Sequence, residues 1–204
     1  MDIRNKKEVL RKSVYDALYM GGFSNRPKGD YGKIPDFKGS DIAAELLKTT
    51  LEWKSAKTIF VSPDAAQTPV RYLSLSDGKD LIMASPNLQH GYLFLKSDNI
   101  SSLKEASTKE GAFTYAEDID IEDYPKIDMV VEGSVAVDKE GNRIGKGKGF
   151  GDREIQDLLN CRLIDNNTPQ VTTIHPLQLV ESVIMDKHDK KLNMIVTTEE
   201  VIRV

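Results

Sequence analysis

An α/β fold built on a mostly parallel sheet is what this sequence predicts, and three observations predict it. Short apolar runs at Thr58-Ile59-Phe60-Val61, Leu81-Ile82-Met83-Ala84 and Met129-Val130-Val131 lack the alternation of a strand wetted on one side. Continuous runs of this length mark strands buried on both faces. Helical patterns alternate with them, the rhythm of β–α–β units. The first two runs close on Ser-Pro (62–63 and 85–86), and the third leads toward a glycine-rich basic loop. In open α/β sheets ligands sit in the crevice outside the carboxyl ends of the strands.

Residues 4–20 read as an amphipathic helix with Val9, Leu10, Val14, Leu18 and Tyr19 as its apolar stripe. Lys7 and Arg11, four apart, share one face; taken alone they read as a solvated basic face. Residues 21–40 carry Gly21-Gly22, Pro27, Gly29, Gly32, Pro35 and Gly39, with Arg26 and Lys28 among them. Long ordered loops of this kind are often functional. Ser40 is positioned as the N-cap of a helix over 41–53, with Ile42, Ala43, Leu46, Leu47 and Leu51 facing inward. After the strand at 58–61, a helix starts near Thr68 with Pro69 in its first turn.

Gly91-Tyr92-Leu93-Phe94-Leu95 fits an edge strand, and the acidic stretch 98–124 reads as a helical turn or two followed by a surface lobe, a lid or a solvated connection. Met129 to Val137 predicts one buried strand and Asp138-Lys139-Glu140-Gly141-Asn142 a turn. A helical pattern opens at Asp152-Arg153-Glu154 and continues through Ile155, Leu158 and Leu159. Strands follow at 170–175 and, as the last, at 191–197. The predicted crevice gathers Pro63-Asp64, Pro86, the glycine loop and His175 to Gln178. The whole chain, 1–204, is expected to form one α/β domain, with 87–126 as its lobe or lid.

Chemistry concentrates between the turn and the last helix, where Arg143, Gly145, Lys146, Gly147, Lys148, Gly149 and Gly151 crowd into nine positions. Glycines bring backbone N–H groups close to an anion, lysines and arginines supply charge, and a helix N-terminus adds its dipole. A strand, such a loop and a helix start in that order suit phosphate. The spacing is neither a Walker A loop nor a clean Gly-x-Gly-x-x-Gly, and the same residues also read as a lysine-rich flexible surface loop. His175 at a strand end fits a hydrogen-bonded structural residue better than a catalyst. His188-Asp189 with Asp186 is only a weak metal-ligand grouping, and Cys161 lacks a recognisable base.

Composition narrows the partners. The net charge of −4 weighs against a general nucleic-acid binder. No run of about 18 apolar residues and no charged-then-apolar leader is present, so a membrane partner is not expected. One cysteine, unable to form an internal disulfide, suits a reducing cytoplasm.

The segment Gly-Ser-Val-Ala-Val-Asp-Lys-Glu-Gly-Asn-Arg-Ile-Gly-Lys-Gly-Lys-Gly-Phe-Gly-Asp (133–152) resembles the signature of the 5-formyltetrahydrofolate cyclo-ligase (methenyltetrahydrofolate synthetase) family. Gly141, Arg143, Ile144, Gly145, Gly147, Gly149, Asp152 and Arg153 match its pattern, and Phe150 stands where a Tyr is usual. Lys7, Leu10 and Arg11 match an N-terminal Lys-x-x-Leu-Arg, and Gln178 with Ile195-Val196-Thr197 fits the last third. The resemblance implies a three-layer α/β/α sandwich of the ribose-isomerase and coenzyme-A-transferase type. It also implies a reaction in which ATP with Mg²⁺ phosphorylates the formyl oxygen of 5-formyltetrahydrofolate and ring closure expels phosphate, giving 5,10-methenyltetrahydrofolate. By the same resemblance Arg143 and Lys148 are catalytic. Lys7, Arg11, Gly145, Lys146, Gly147, Gly149, Phe150, Gly151 and Gln178 bind nucleotide or substrate, and Asp152 holds Mg²⁺. The partners implied are a nucleotide and a reduced folate or related formyl compound. The family's Glu after the first strand is absent from 64–71, its Gly-Ile-x-Glu-Pro segment is missing, and its double aromatic is reduced to Phe150-Gly151. The resemblance is therefore to a divergent branch. A nucleotide-binding module without turnover is the alternative, and single-stranded RNA binding through the loop and Phe150 is a weaker third.

Overall fold

In the computed structural model, which describes residues 2–186 and 189–204, seven strands form one sheet: β1 (Thr58–Val61), β2 (Asp80–Ala84), β3 (Tyr92–Leu95), β4 (Met129–Glu132), β7 (Gln170–Thr173), β8 (Met194–Val196) and β9 (Val201–Arg203). Their spatial order is β3-β2-β1-β4-β7-β8-β9. The five inner strands run parallel, and β3 and β9 pair antiparallel at the two edges. The apolar runs are fully buried because both sheet faces are covered. Ile59, Val61, Leu81, Met83, Met129 and Val131 point into one core layer, and Phe60, Ile82, Ala84 and Val130 into the other.

Helices α2 (Ser40–Lys48), α3 (Leu51–Ser55) and α4 (Thr68–Ser76) supply Ala44, Leu47, Trp53, Val70 and Leu73 to the first layer. The short α5 (Leu103–Ala106) and α6 (Ala112–Tyr115) pack beside α4 and β3. Ile155 and Leu158 of α7 (Phe150–Asn160) cover the other face. The long α1 (Ile3–Met20) lies against a two-stranded ribbon, β5 (Ala136–Val137) with β6 (Arg143–Ile144), through Val14, Leu18, Val135 and Ile144. The α/β/α sandwich with a mostly parallel sheet is the expected one.

Several elements differ from expectation, each for a local reason. The helix expected over 41–53 is two helices. Ser40 is its first residue rather than its cap, a role taken by Gly39 at φ 91°, and Thr50 starts α3 by accepting from the Trp53 N–H. Leu51 and Ile42 are exposed. The stripe of α1 is turned: Val9 and Tyr19 face solvent, while Arg11 and Tyr15 join Val14 and Leu18 inside. The apolar run 129–137 divides at Gly133, so that its first part stays in the sheet and its last part joins the ribbon. The strand at 194–196 is not the last, because β9 follows it.

Candidate functional site

The inner strands reverse direction of progress at β1, with β2 on one side and β4 on the other. A cleft of about 810 Å³ opens at the carboxyl ends of these strands, as the switch point of a parallel sheet requires. Pro63 and Asp64 follow β1, Ser85 follows β2, and Glu132 and Gly133 end β4; all five line it. The opposite wall is the loop from β6 to α7, and α1 closes one end.

The loop takes its shape from two left-handed glycines. Gly147 has φ 89° and Gly149, the N-cap of α7, has φ 66°, a region costly for any residue with a Cβ. Arg11 reaches from α1 to hold the loop: its Nε donates to the Gly145 carbonyl at 2.7 Å, and its guanidinium lies against Gly147. The outer Nη1 pairs with Glu8 at 2.7 Å. Lys7, one turn earlier, pairs with Asp189. Lys146 sits 3.4 Å from Asp64, and Lys148 is exposed at the rim. Phe150 opens α7 with Lys146 on its ring at 5.9 Å and Arg153 at 4.6 Å. Arg143 is buried; it donates through Nη1 to the Gly133 carbonyl at 3.3 Å and through Nη2 to Asp152 at 3.2 Å. Asp152 Oδ1 also accepts from the Lys190 N–H.

The cleft thus brings together Lys7, Arg11, Arg143, Gly145, Lys146, Gly147, Lys148, Gly149, Phe150, Gly151 and Asp152. Gln178 is not among its walls. It is fully buried elsewhere, where its Nε2 donates to the Ser134 carbonyl at 2.8 Å and its Oε1 accepts from the His175 N–H at 2.8 Å. This bond pair fastens the turn after β7 to the strand leading into the glycine loop. Its expected place in a binding site is corrected to that of a brace. His175 and Pro86 also lie outside the cleft walls. The His175 Nδ1 accepts from the Leu177 N–H at 3.2 Å, its ring stacks on Phe23 at 4.3 Å, and burial pushes its pKa down. Arg26 pairs with Asp30 instead of facing the cleft. None of the described residues among 88–126 lines it either. His188 lies outside the described residues, and among the described residues no three His, Cys, Asp or Glu side chains group as a metal site.

Two acidic side chains at the bottom of the cleft were not singled out by sequence. Glu132 and Glu154 form an acidic floor, both buried. Burial and the neighbouring Glu154 push the Glu132 carboxyl well above the ordinary range; burial and Asp64 push Glu154 up to about 7. The only available signal was a Glu directly after Met129-Val130-Val131, at a strand's carboxyl end. The result is a basic rim over a floor of two carboxyls whose burial favours the protonated form. Such a cleft can take a polyanion along the glycine loop and a polar, uncharged group below it.

A parallel α/β sheet with a basic glycine loop leading into a helix at its switch point defines an α/β protein of the open-sheet class. The family model of the 5-formyltetrahydrofolate cyclo-ligase family matches residues 4–198, and the chain belongs to that family. It is 32% identical over 203 residues to the methenyltetrahydrofolate synthase domain-containing protein of Bos taurus, covering 96% of this chain and 53% of that protein. The Homo sapiens protein of the same name is 30% identical, with 96% and 53% covered. The chain therefore spans about half the length of the curated relatives it matches. Among solved structures, the 5,10-methenyltetrahydrofolate synthetase of Aquifex aeolicus superposes with a TM-score of 0.62 at 23% identity, covering 97% of this chain and 92% of that one. The synthetase of Mycoplasma pneumoniae gives 0.56 at 13%, covering 98% and 100%. These two likenesses establish the shared fold. Among the described residues no helix is long and apolar enough to cross a membrane.

Proposed function

We propose that the chain is an ATP- and Mg²⁺-dependent cyclo-ligase that acts on 5-formyltetrahydrofolate or a closely related formyl compound, working as one α/β domain. The observation that carries the reading is the closure of the basic glycine loop by Arg11, 134 residues away in sequence, through the Gly145 carbonyl. A solvated surface loop has no reason to recruit a buried arginine from a distant helix. Family membership supports the same reading.

The donor set fits a nucleoside triphosphate. Lys7, Arg11, Lys146 and Lys148 would neutralise phosphate charge, and the loop's N–H groups with the α7 N-terminus would add fixed partial charge. A Mg²⁺ held by one carboxylate and by phosphate oxygens, keeping its waters, fits Asp152. ATP would supply the phosphoryl group that makes the formyl oxygen a leaving group. The protein's part is to hold the two substrates in line and to place Arg143 and Lys148 where charge develops on the transferring group. The reaction belongs in the cytoplasm, where ATP and reduced folates meet.

The test is formation of the methenyl chromophore from 5-formyltetrahydrofolate, dependent on both ATP and Mg²⁺, with stoichiometric release of ADP and phosphate. A folded protein that forms no chromophore and hydrolyses no ATP with the folate present refutes the reading. One observation favours a second reading, a nucleotide-binding module without turnover: Asp152 is already engaged by Arg143 and the Lys190 N–H. That module would gain thermal stability from ATP–Mg²⁺ by mass action while consuming nothing.

A further inference from the structure

Arg153 belongs to the same basic run as Arg143, Lys146 and Lys148, yet those three line the cleft and Arg153 does not. It is exposed in the first part of α7. Its Nη2 donates to the Lys148 carbonyl at 3.1 Å, and its guanidinium lies over the Phe150 ring, 4.6 Å from the centroid. Both partners are uncharged, so the contact is not a surface ion pair. The ring steadies the planar fork, and the fork holds the carbonyl.

That carbonyl fixes a direction. A peptide unit is planar and trans, so its C=O and its N–H point opposite ways. A side chain outside the cleft takes the Lys148 oxygen, which turns the N–H of the same unit, that of Gly149, toward the cleft that Lys148 and Gly149 line. The Gly149 N–H donates to nothing among the described residues. Gly149, at φ 66°, is the N-cap of α7, and no side chain caps that turn. Its free N–H therefore joins the unpaired first-turn N–H groups of the helix. Arg11 works on the same loop from α1, through the Gly145 carbonyl at 2.7 Å. Two carbonyls of the loop are thus held by arginines from two different helices. Without such holds a loop this rich in glycine is free to turn its peptide units over.

We propose that Arg153 is a positioning residue for the anion site: stacked on Phe150, it holds the Lys148 carbonyl outward and so keeps the Gly149 N–H aimed at a phosphate oxygen. It touches no ligand itself. The proposal rests on the nucleotide half of the cyclo-ligase reading. The competing account makes Arg153 one more positive charge near a polyanion, and the two separate on chemistry. A charge acts through space, is screened by salt and survives replacement by lysine. A held peptide plane is indifferent to salt and is lost with lysine, which keeps the charge without the stacking fork.

The test uses the whole chain, with ATP–Mg²⁺ and inorganic tripolyphosphate as probes, followed by calorimetry and by the glycine amide signals of ¹⁵N-labelled protein. In the parent the Gly149 amide should move downfield on saturation with either probe. Arg153→Lys should weaken both probes about tenfold, the worth of one hydrogen bond to a charged group. The ratio to the parent should be the same at low and high salt, and the Gly149 shift should be lost. Its melting temperature should match the parent's, because the residue is exposed. Phe150→Leu, with the charge intact, should reproduce the loss for tripolyphosphate, which has no ring to stack; Phe150→Tyr should stay within about twofold of the parent. Arg153→Lys binding both probes as the parent does overturns the proposal while the nucleotide site stands. So does a difference that vanishes at high salt, or a Gly149 amide that shifts equally in parent and variant. A folded parent that binds neither probe removes the nucleotide reading and the proposal with it.

Discussion

Replacing Arg11 by Met separates what this arginine does for the fold from what it does for a ligand. Met keeps much of the aliphatic stem against its neighbours and removes the guanidinium. Two bonds are lost. The pair with Glu8 is weak, because the Glu8 side chain is 72% exposed, and such pairs contribute about 0–1 kcal/mol. The buried bond from Nε to the Gly145 carbonyl is charge-assisted and falls in the range of roughly 1.5–3 kcal/mol. A stability loss of about 2 kcal/mol is expected, which in a chain of this length lowers the melting temperature by roughly 4–8 °C. The ligand effect is separate. One fewer cation on the phosphates, and a loop no longer tied to α1, should weaken ATP–Mg²⁺ by about 10- to 100-fold. Urea unfolding gives the first number and calorimetry, run well below the melting transition, gives the second. Repeating the titration at higher salt should shrink the difference between parent and variant, since part of it is screened charge. Arg11→Lys should recover part of the affinity and little of the stability, because lysine keeps the charge without the fixed fork. An Arg11→Met variant that loses stability yet binds ATP–Mg²⁺ within twofold of the parent would show that Arg11 only staples the loop. That result would remove the observation on which the nucleotide site rests.

Two other perturbations follow from buried charge. Arg71 is buried with no carboxylate partner among the described residues and donates to the carbonyls of Ser62, Asp64 and Ser107 and to Thr68 Oγ1, and burial lowers its pKa to about 10. Arg71→Met strands those carbonyls and should cost about 3–5 kcal/mol in chemical denaturation, with loss of the 62–64 turn that walls the cleft; a cost under about 1 kcal/mol would contradict this. Glu154, raised to about 7, should make stability fall as pH rises. The folded state holds its proton between about 4.5 and 7 and the unfolded state does not, so of order 3 kcal/mol disappears across that window. Glu154→Gln should flatten the decline between pH 5 and 8, and an unaltered slope would show that another group titrates there.

The elements legible in sequence were those whose burial is complete and local. Strands β1, β2 and β4 carry unbroken apolar runs because both faces of the sheet are covered, and no other arrangement of four or five residues asks for that pattern. The run 129–137 was read as one strand because hydrophobicity reports burial and not hydrogen-bond partners. Burial continues past Gly133 while the chain leaves the sheet for the ribbon. The mark of the exit is steric: a Cβ on Gly133 would stand 2.8 Å from Asp64 Oδ2 and 2.9 Å from Ile34. Strand β9 was missed because it is a half-exposed edge after an acidic pair, with too little apolar content to register. The break at Thr49-Thr50 carries its own mark, a threonine N-cap with Glu52 in the following turn, which the apolar spacing across 42–51 hides.

The glycine loop and its lysines were visible because their residue types are unusual in any structural role. The acidic floor was not, and the reason is general to buried charge. Periodicity assigns charged residues to solvent, so Arg11, taken alone, is read as surface although it is inside, and Glu132 goes unremarked within the apolar run 129–137. Arg11 is inside because a carbonyl 134 positions away receives it, a pairing that no local pattern contains. Glu132 is inside with its Oε1 unpaired among the described residues, a state that no local pattern reports either.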